Sequence, residues 1–260
     1  MRVLFMKVII LAGGLGTRLS EETSIIPKPM VKIGNYPIIW HIMKIYATQG
    51  YNEFVICLGY KGQNIKEYFY NLSHNSSDFT VDMSSNKIIL NKTSSINWKV
   101  TLVDTGQNTM TGGRMKRVEK YINDDEFMMT YGDGVSDINL NRLIKFHKSH
   151  KGKATVTAVK PPPRFGTLNL EKGGRVKTFK EKPPHPWING GFFLLSKYVF
   201  DYIDNDFVPF EGEPMRRLAR EGELFAYRHN GFWRCMDTLS DKKALEDIWR
   251  NNPPWRIWND

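Results

Sequence analysis

The apolar run Val8-Ile9-Ile10-Leu11 passes without a break into Ala12-Gly13-Gly14-Leu15-Gly16-Thr17-Arg18-Leu19. Ten positions after Arg18, Lys28 stands between Pro27 and Pro29. A short strand that empties into a glycine loop lets backbone N–H groups approach a ligand closely, and such nests hold anions. Arg18 adds a planar fork of donors suited to phosphate oxygens, and Lys28 adds a point charge on a proline-stiffened segment. Together these residues describe a polyphosphate cradle. The loop lacks the Gly-Lys-Ser/Thr ending of a Walker A motif, and Leu19 stands where the dinucleotide fingerprint needs its third glycine. A tight turn carrying a surface Arg and Lys would use the same letters, so the loop alone does not choose between the two.

Strand-like runs then alternate with helical patterns. Helices are predicted over Pro37–Gln49 (with Ile38, Ile42 and Ile45 on one face), Gln63–Asn71, Met115–Ile122 and Asn139–Ser149. Strands are predicted at Val8–Leu11, Glu53–Leu58, Val100–Val103, Phe127–Tyr131 and Ala154–Val159. This alternation predicts right-handed βαβ units: an α/β fold with a mostly parallel sheet flanked by helices. Ligands of such sheets bind beyond the carboxyl ends of the strands. The glycine loop and Gly132-Asp133-Gly134 both follow strands, which puts them on that edge. Residues 74–97 are polar and rich in Ser and Asn, and suit an inserted flap or hairpin. Residues 160–192 read as short strands between Pro and Gly clusters, and helical patterns return from Lys197. No linker or repeat divides the chain, so one domain over residues 1–260, with small inserted β elements, is expected.

Apolar residues at 41% suit a packed core rather than disorder. No apolar run reaches the roughly 18 residues that span a bilayer. The start Met1-Arg2-Val3-Leu4-Phe5-Met6-Lys7 has some likeness to a signal peptide, but it leads straight into the glycine loop, which cleavage would destroy. A cytoplasmic protein is expected, with Met6 as an alternative start. Cys57 and Cys235 form no metal-like spacing and read as packing residues. The net charge of +10, from 37 Lys and Arg against 27 Asp and Glu, suggests an anionic ligand. The densest basic cluster, Arg114, Lys116, Arg117 and Lys120, has helical spacing and reads as a solvated face, and no nucleic-acid-binding motif accompanies it. His147 and His150 share a helical stretch without a third metal ligand.

Asp133 follows a strand between two glycines, and Asp237 sits in Trp233-Arg234-Cys235-Met236-Asp237-Thr238. Two carboxylates together with substrate phosphates suit Mg²⁺, which keeps several waters and seldom takes a full protein cage. An aspartate after a strand is equally a turn or N-cap residue. Residue types leave both readings open.

Gly13-Gly14-Leu15-Gly16-Thr17-Arg18-Leu19 followed by Pro27-Lys28-Pro29-Met30 resembles the signature of the sugar-phosphate nucleotidyltransferases. The stretches Glu21-Glu22-Thr23, Trp40-His41-Ile42-Met43-Lys44-Ile45-Tyr46, Leu102-Val103-Asp104-Thr105-Gly106, Thr111-Gly112-Gly113-Arg114, Tyr131-Gly132-Asp133-Gly134-Val135 and Met236-Asp237-Thr238-Leu239 look like the glucose-1-phosphate cytidylyltransferase branch. These stretches run along nearly the whole chain.

The resemblance implies a Rossmann-like nucleotidyltransferase sheet and transfer of a cytidylyl group from CTP to a sugar 1-phosphate. The product would feed deoxysugar or surface-polysaccharide synthesis. It implies a nucleotide site of Leu11, Ala12, Gly13, Gly14, Gly16, Thr17, Arg18, Lys28 and Asp133. The cytosine would face the segment Asp104 to Gly113, with contacts from Asp104, Thr111, Gly112 and Gly113. Read without the resemblance, Thr111 is a plain N-cap. Arg18 and Lys28 take catalytic roles, Mg²⁺ sits on Asp133 and Asp237, and Glu181, Lys182, Asn189 and Gly190 hold the sugar phosphate. A homo-oligomer is expected, with no nucleic-acid partner and no membrane. Pro163 replaces a glycine usual in this branch, and the loop after Pro183 is short. Both lie near the sugar side and leave the exact sugar open. Another nucleotide or sugar, or a non-catalytic nucleotide sensor of the same fold, remains an alternative.

Overall fold

The structure is a computed structural model and describes residues 6–75, 78–90, 96–162, 166–180 and 186–259. In chain order it begins with β1 (Val8–Leu11), α1 (Ser20–Thr23), β2 (Lys32–Ile33), β3 (Tyr36–Pro37), α2 (Ile38–Ala47), β4 (Glu53–Leu58) and α3 (Gly62–Asn75). There follow β5 (Phe79–Asp82), β6 (Lys87–Leu90), β7 (Lys99–Asp104), α4 (Thr111–Val118), β8 (Glu126–Tyr131), β9 (Gly134–Ser136), α5 (Leu140–Lys148) and β10 (Ala154–Val159). The chain closes with β11 (Thr167–Leu170), β12 (Val176–Lys180), β13 (Ile188–Ser196), α6 (Glu213–Arg220), β14 (Leu224–Arg228), β15 (Trp233–Cys235) and α7 (Leu239–Asn251).

Seven strands form the central sheet in the order β14-β10-β13-β8-β1-β4-β7. β1 pairs in parallel with β4 and β8, β4 with β7, and β10 with β14. Only β13 runs antiparallel to its neighbours, β8 and β10. The sheet is buried on both faces, as parallel sheets require. Alternation along single strands shows this: Val8 and Ile10 enter one core with α2 and α5, while Ile9 and Leu11 enter another with α4 and α6. Phe192 and Leu194 likewise face the first core, and Phe193 and Leu195 the second.

The β13 strand corrects the sequence reading. Residues 160–192 were expected to hold short strands, and β11 and β12 are such strands, yet the segment runs into Ile188–Ser196, a nine-residue strand inside the central sheet between β10 and β8. β14 and β15 also interrupt the stretch expected to be helical after Lys197. An apolar run buried on both faces carries no period-2 signal, so strand and helix cannot be told apart by pattern. Because β13 is antiparallel, its first residues, Ile188 to Gly190, lie on the same edge as the ends of β1, β4 and β8. The polar segment holds the β5–β6 hairpin, paired from Phe79↔Leu90 to Asp82↔Lys87.

Candidate active site

A cleft of about 650 Å³ opens at the carboxyl edge of the sheet. The glycine loop forms one wall, and Leu11, Ala12, Gly13, Gly14, Gly16 and Thr17 all line it. Three glycines meet three different demands. A Cβ on Gly13 would lie 2.3 Å from Arg114 Nη1, and Gly16 has a φ of +65°. At Gly14 a Cβ would meet nothing within 4 Å, so its missing side chain leaves room in the cleft itself. The N–H groups of residues 14–17 have no hydrogen-bond partner among the described residues, so they are free to bind an anion.

Opposite this loop, β9 and β15 pair as a short antiparallel ribbon, with Cys235 across from Gly134, and Met236 N–H donates to the Asp133 carbonyl at 2.8 Å. This ribbon sets Asp133, just before β9, beside Asp237, just after β15. Thr238 makes the N-cap of α7 through a capping box with Asp241, so Asp237 is spared the capping role open to it in the sequence.

Lys28 lies between the two carboxylates. Its Nζ donates to Asp133 Oδ2 at 2.7 Å and to Asp237 Oδ1 at 2.6 Å. Arg18, largely exposed, donates from Nη1 to Asp237 Oδ2 at 2.8 Å. Burial pulls the Lys28 ammonium down, but the paired carboxylates outweigh it and hold its pKa above the ordinary lysine value. Burial likewise pushes Asp237 up, and the bond and charge of Lys28, helped by Arg18, bring it below the usual carboxylate range. Cys235 lies beside Asp237, and burial and both aspartates push its thiol to about 12.

Two carboxylates that touch one nitrogen are close enough to share a cation, and here an ammonium fills that place. No group of three His, Cys, Asp or Glu able to hold a metal ion occurs among the described residues. A pair of hard oxygen donors facing a phosphate cradle fits Mg²⁺, whose other ligands come from substrate and water.

Of the residues expected to face the base, only Thr111 lines the cleft. Asp104 is exposed, accepts Gly106 N–H at 2.9 Å and lies outside the cleft lining. Gly112 and Gly113 are buried in α4, and a Cβ on either would lie 2.5 Å from Val208 O or Asp206 Cα. The Gly112 N–H is bonded to Val208 O. These glycines allow close packing and neither lines the cleft. Thr111 lines the cleft but is not the N-cap, since Met110 holds that position without a side-chain bond. Asn189 and Gly190 are on the lining. Asn189 Nδ2 donates to Tyr131 Oη at 3.1 Å and its Oδ1 accepts Gly191 N–H at 2.8 Å. Glu181 and Lys182 fall outside the described residues, as does Pro163.

Sequence reasoning missed Arg114. It was read as part of a solvated face, yet it is buried and lines the cleft. Its guanidinium donates to the carbonyls of Leu58, Gly106, Gly13 and Gln107 and to Thr105 Oγ1, over 2.7 to 3.2 Å. Those bonds tie the glycine loop to the ends of β4 and β7. The only signal in the sequence was the glycines around it. Tyr131, Glu211 and Trp233 also line the cleft; Tyr131 and Trp233 stood out only as neighbours of the two aspartates, and Glu211 carried no sequence signal. Burial, then the neighbouring Glu211 carboxylate, raise the Tyr131 phenol far above its ordinary pKa, so it stays protonated and donates a hydrogen bond to Glu211.

A Ser–His–Asp meeting elsewhere is structural. His229 Nε2 lies 3.1 Å from Ser136 Oγ and 2.9 Å from Asp137 Oδ1. A catalytic triad places its serine and carboxylate on opposite ring nitrogens, whereas here both share one.

No helix among the described residues is long and apolar enough to cross a membrane. The nucleotidyl transferase family model matches residues 7–250. The glucose-1-phosphate cytidylyltransferase of Salmonella typhimurium is 54% identical over 97% of this chain and all of its own length. A probable glucose-1-phosphate cytidylyltransferase of Bacillus subtilis is 47% identical over 97% of this chain and all of its own. Among solved structures, HddC from Yersinia pseudotuberculosis superposes with a TM-score of 0.70 at 24% identity, covering 94% of this chain and 99% of that one, and shares the fold. The chain belongs to the nucleotidyl transferase family, in its glucose-1-phosphate cytidylyltransferase branch.

Proposed function

We propose that this protein transfers a cytidylyl group from CTP to α-D-glucose 1-phosphate, giving CDP-glucose and pyrophosphate. The observation that carries the reading is Lys28 held between Asp133 and Asp237, facing a glycine loop with free amides. A phosphate oxygen of the sugar phosphate attacks the α-phosphorus in line; that P–O bond forms as the bond to the β-phosphate oxygen breaks. The attacking oxygen is already ionised at neutral pH, so no general base is needed. Catalysis rests on positioning and charge neutralisation.

Gly13, Gly14, Gly16 and Thr17 cradle the phosphates with backbone N–H groups, and Leu11 and Ala12 form the floor. Arg18 follows the departing pyrophosphate. Lys28 stabilises charge at the α-phosphate. Glu181, Lys182, Asn189 and Gly190 take the sugar phosphate. Thr111 sits nearer the nucleoside; Asp104 acts there indirectly by shaping the segment before α4, and Gly112 and Gly113 by close packing in its first turn. Asp133 and Asp237 would hold Mg²⁺, which when bound lowers the repulsion between the two anionic reactants.

Pyrophosphate release with glucose 1-phosphate and each of CTP, UTP, dTTP, ATP and GTP in turn tests this reading. Release with CTP is expected. Release with another nucleotide alone overturns the base assignment, and nucleotide binding without release for any sugar phosphate identifies a sensor. The proposal extends to a cytoplasmic homo-oligomer. Val81, Met83, Ile88 and Ile89, exposed apolar residues on and around the β5–β6 hairpin, support self-association, which sedimentation can test.

A further inference from the structure

Three carboxylates line the cleft, and two of them are engaged by Lys28. The third, Glu211, stands just before α6, away from that pair. Its surroundings fix it closely. Thr111 Oγ1 accepts the Phe210 N–H at 2.8 Å, so its own proton goes to Glu211 Oε2, at 2.6 Å. Tyr131 Oη accepts Asn189 Nδ2, so its proton goes to Glu211 Oε1. Each carboxylate oxygen is thus anchored by one donor and keeps acceptor capacity for another. Behind this arrangement, Trp233 Nε1 donates to Gly190 O at 2.7 Å and holds the start of β13, which carries Asn189.

A carboxylate in a phosphate-binding cleft repels any phosphate placed against it. The part of the substrate that rests on Glu211 must be uncharged and rich in donors, and a carbohydrate ring with its hydroxyls meets both conditions. We propose that Glu211 is a specificity-determining residue that accepts hydrogen bonds from ring hydroxyls of a substrate, with Tyr131 and Thr111 as its positioning residues. The proposal rests on the sugar-nucleotidyl transfer above. The hydroxyls can belong to the hexose of the sugar phosphate or to the ribose of the nucleotide, which share this chemistry.

The test compares wild type, Glu211→Gln, Thr111→Val and Thr111→Ser with CTP and glucose 1-phosphate. It adds the monodeoxy glucose 1-phosphates, 2′- and 3′-deoxy-CTP, and UTP. Glu211→Gln keeps the shape and removes the charge, so KM should rise about tenfold for one substrate only, with kcat nearly unchanged. The penalty that wild type imposes on one deoxy analogue should vanish in the variant. A hexose analogue assigns the contact to the sugar phosphate, and a deoxy-CTP assigns it to the ribose. Thr111→Val, which removes the donor, should show part of the Glu211→Gln effect, and Thr111→Ser, which keeps it, should show clearly less of that effect than Thr111→Val. Unchanged KM values with undiminished penalties for every deoxy analogue overturn the proposal. So does an effect confined to the choice between CTP and UTP. Affinities for the same ligands are measured by calorimetry alongside. A wild type that binds without turnover refutes the transfer reading, while the hydroxyl dependence of binding in Glu211→Gln still decides this one.

Discussion

Replacing Lys28 by Met keeps the length of the side chain and removes its charge. In the structure the Lys28 side chain is 11% exposed, and its partners Asp133 and Asp237 are 28% and 18% exposed. Breaking a fully buried ion pair costs roughly 3–5 kcal/mol; partial exposure of the carboxylates reduces this to about 2–3 kcal/mol. For a chain of this size that corresponds to a fall in Tm of about 5–10 °C, measured without divalent metal. The two carboxylates then face each other without a counter-charge, so a divalent cation should bind them more tightly than in wild type. At ten times its Kd, Mg²⁺ would restore about 1.4 kcal/mol, or roughly 3–5 °C. Turnover should nonetheless fall about a hundredfold or more, because loss of one preorganised donor at the reacting phosphate is not replaced by stability. Calorimetric melts with and without Mg²⁺, beside a pyrophosphate-release assay, read both effects. An unchanged Tm, an Mg²⁺ shift equal to that of wild type, or near-normal turnover would each refute the reasoning.

Asp237→Asn should raise the Mg²⁺ concentration needed for half-maximal rate by about tenfold or more, and an unchanged titration would make Asp237 a structural residue only. Gly14→Ala should leave Tm within about 2 °C, because its Cβ has open space, yet raise the KM for CTP; Gly13→Ala should lower Tm by pushing against Arg114. Acid should destabilise the protein between pH 6.5 and 4. Burial lowers His41 to about 4, against opposing bonds to the Ile33 and Tyr36 carbonyls, and burial lowers His147 to about 4 as well. Each stays neutral when folded and charges when unfolded, so its contribution is full above pH 6.5 and lost as pH falls toward 4, by up to about 3 kcal/mol apiece. Lys28 and Asp237 are shifted away from that window, upward and downward respectively. A Tm that stays flat from pH 7 to 4.5 would contradict this assignment.

The parts legible in the sequence were those that local chemistry dictates. Glu53–Leu58 and Ala154–Val159 are strands with the bounds expected of them, and Asn139 caps α5 where the helix was expected to start. The glycine loop, Lys28 between its prolines, and Asp133 between its glycines announced an anion site, because φ/ψ freedom and proline stiffness act within a few residues. Only the tertiary structure decided that Ile188–Ser196 lies inside the sheet, between β10 and β8, against its neighbours' direction. It also set Asp237 beside Asp133 through the β9–β15 ribbon, buried Arg114 among carbonyls, and turned Gly112 and Gly113 into packing positions. Glu211 joined the cleft wall in the same way. Periodicity records which way a side chain points along its own element. It does not record which distant element will cover it, because that is settled by burying two sheet faces at once and pairing every backbone donor between them.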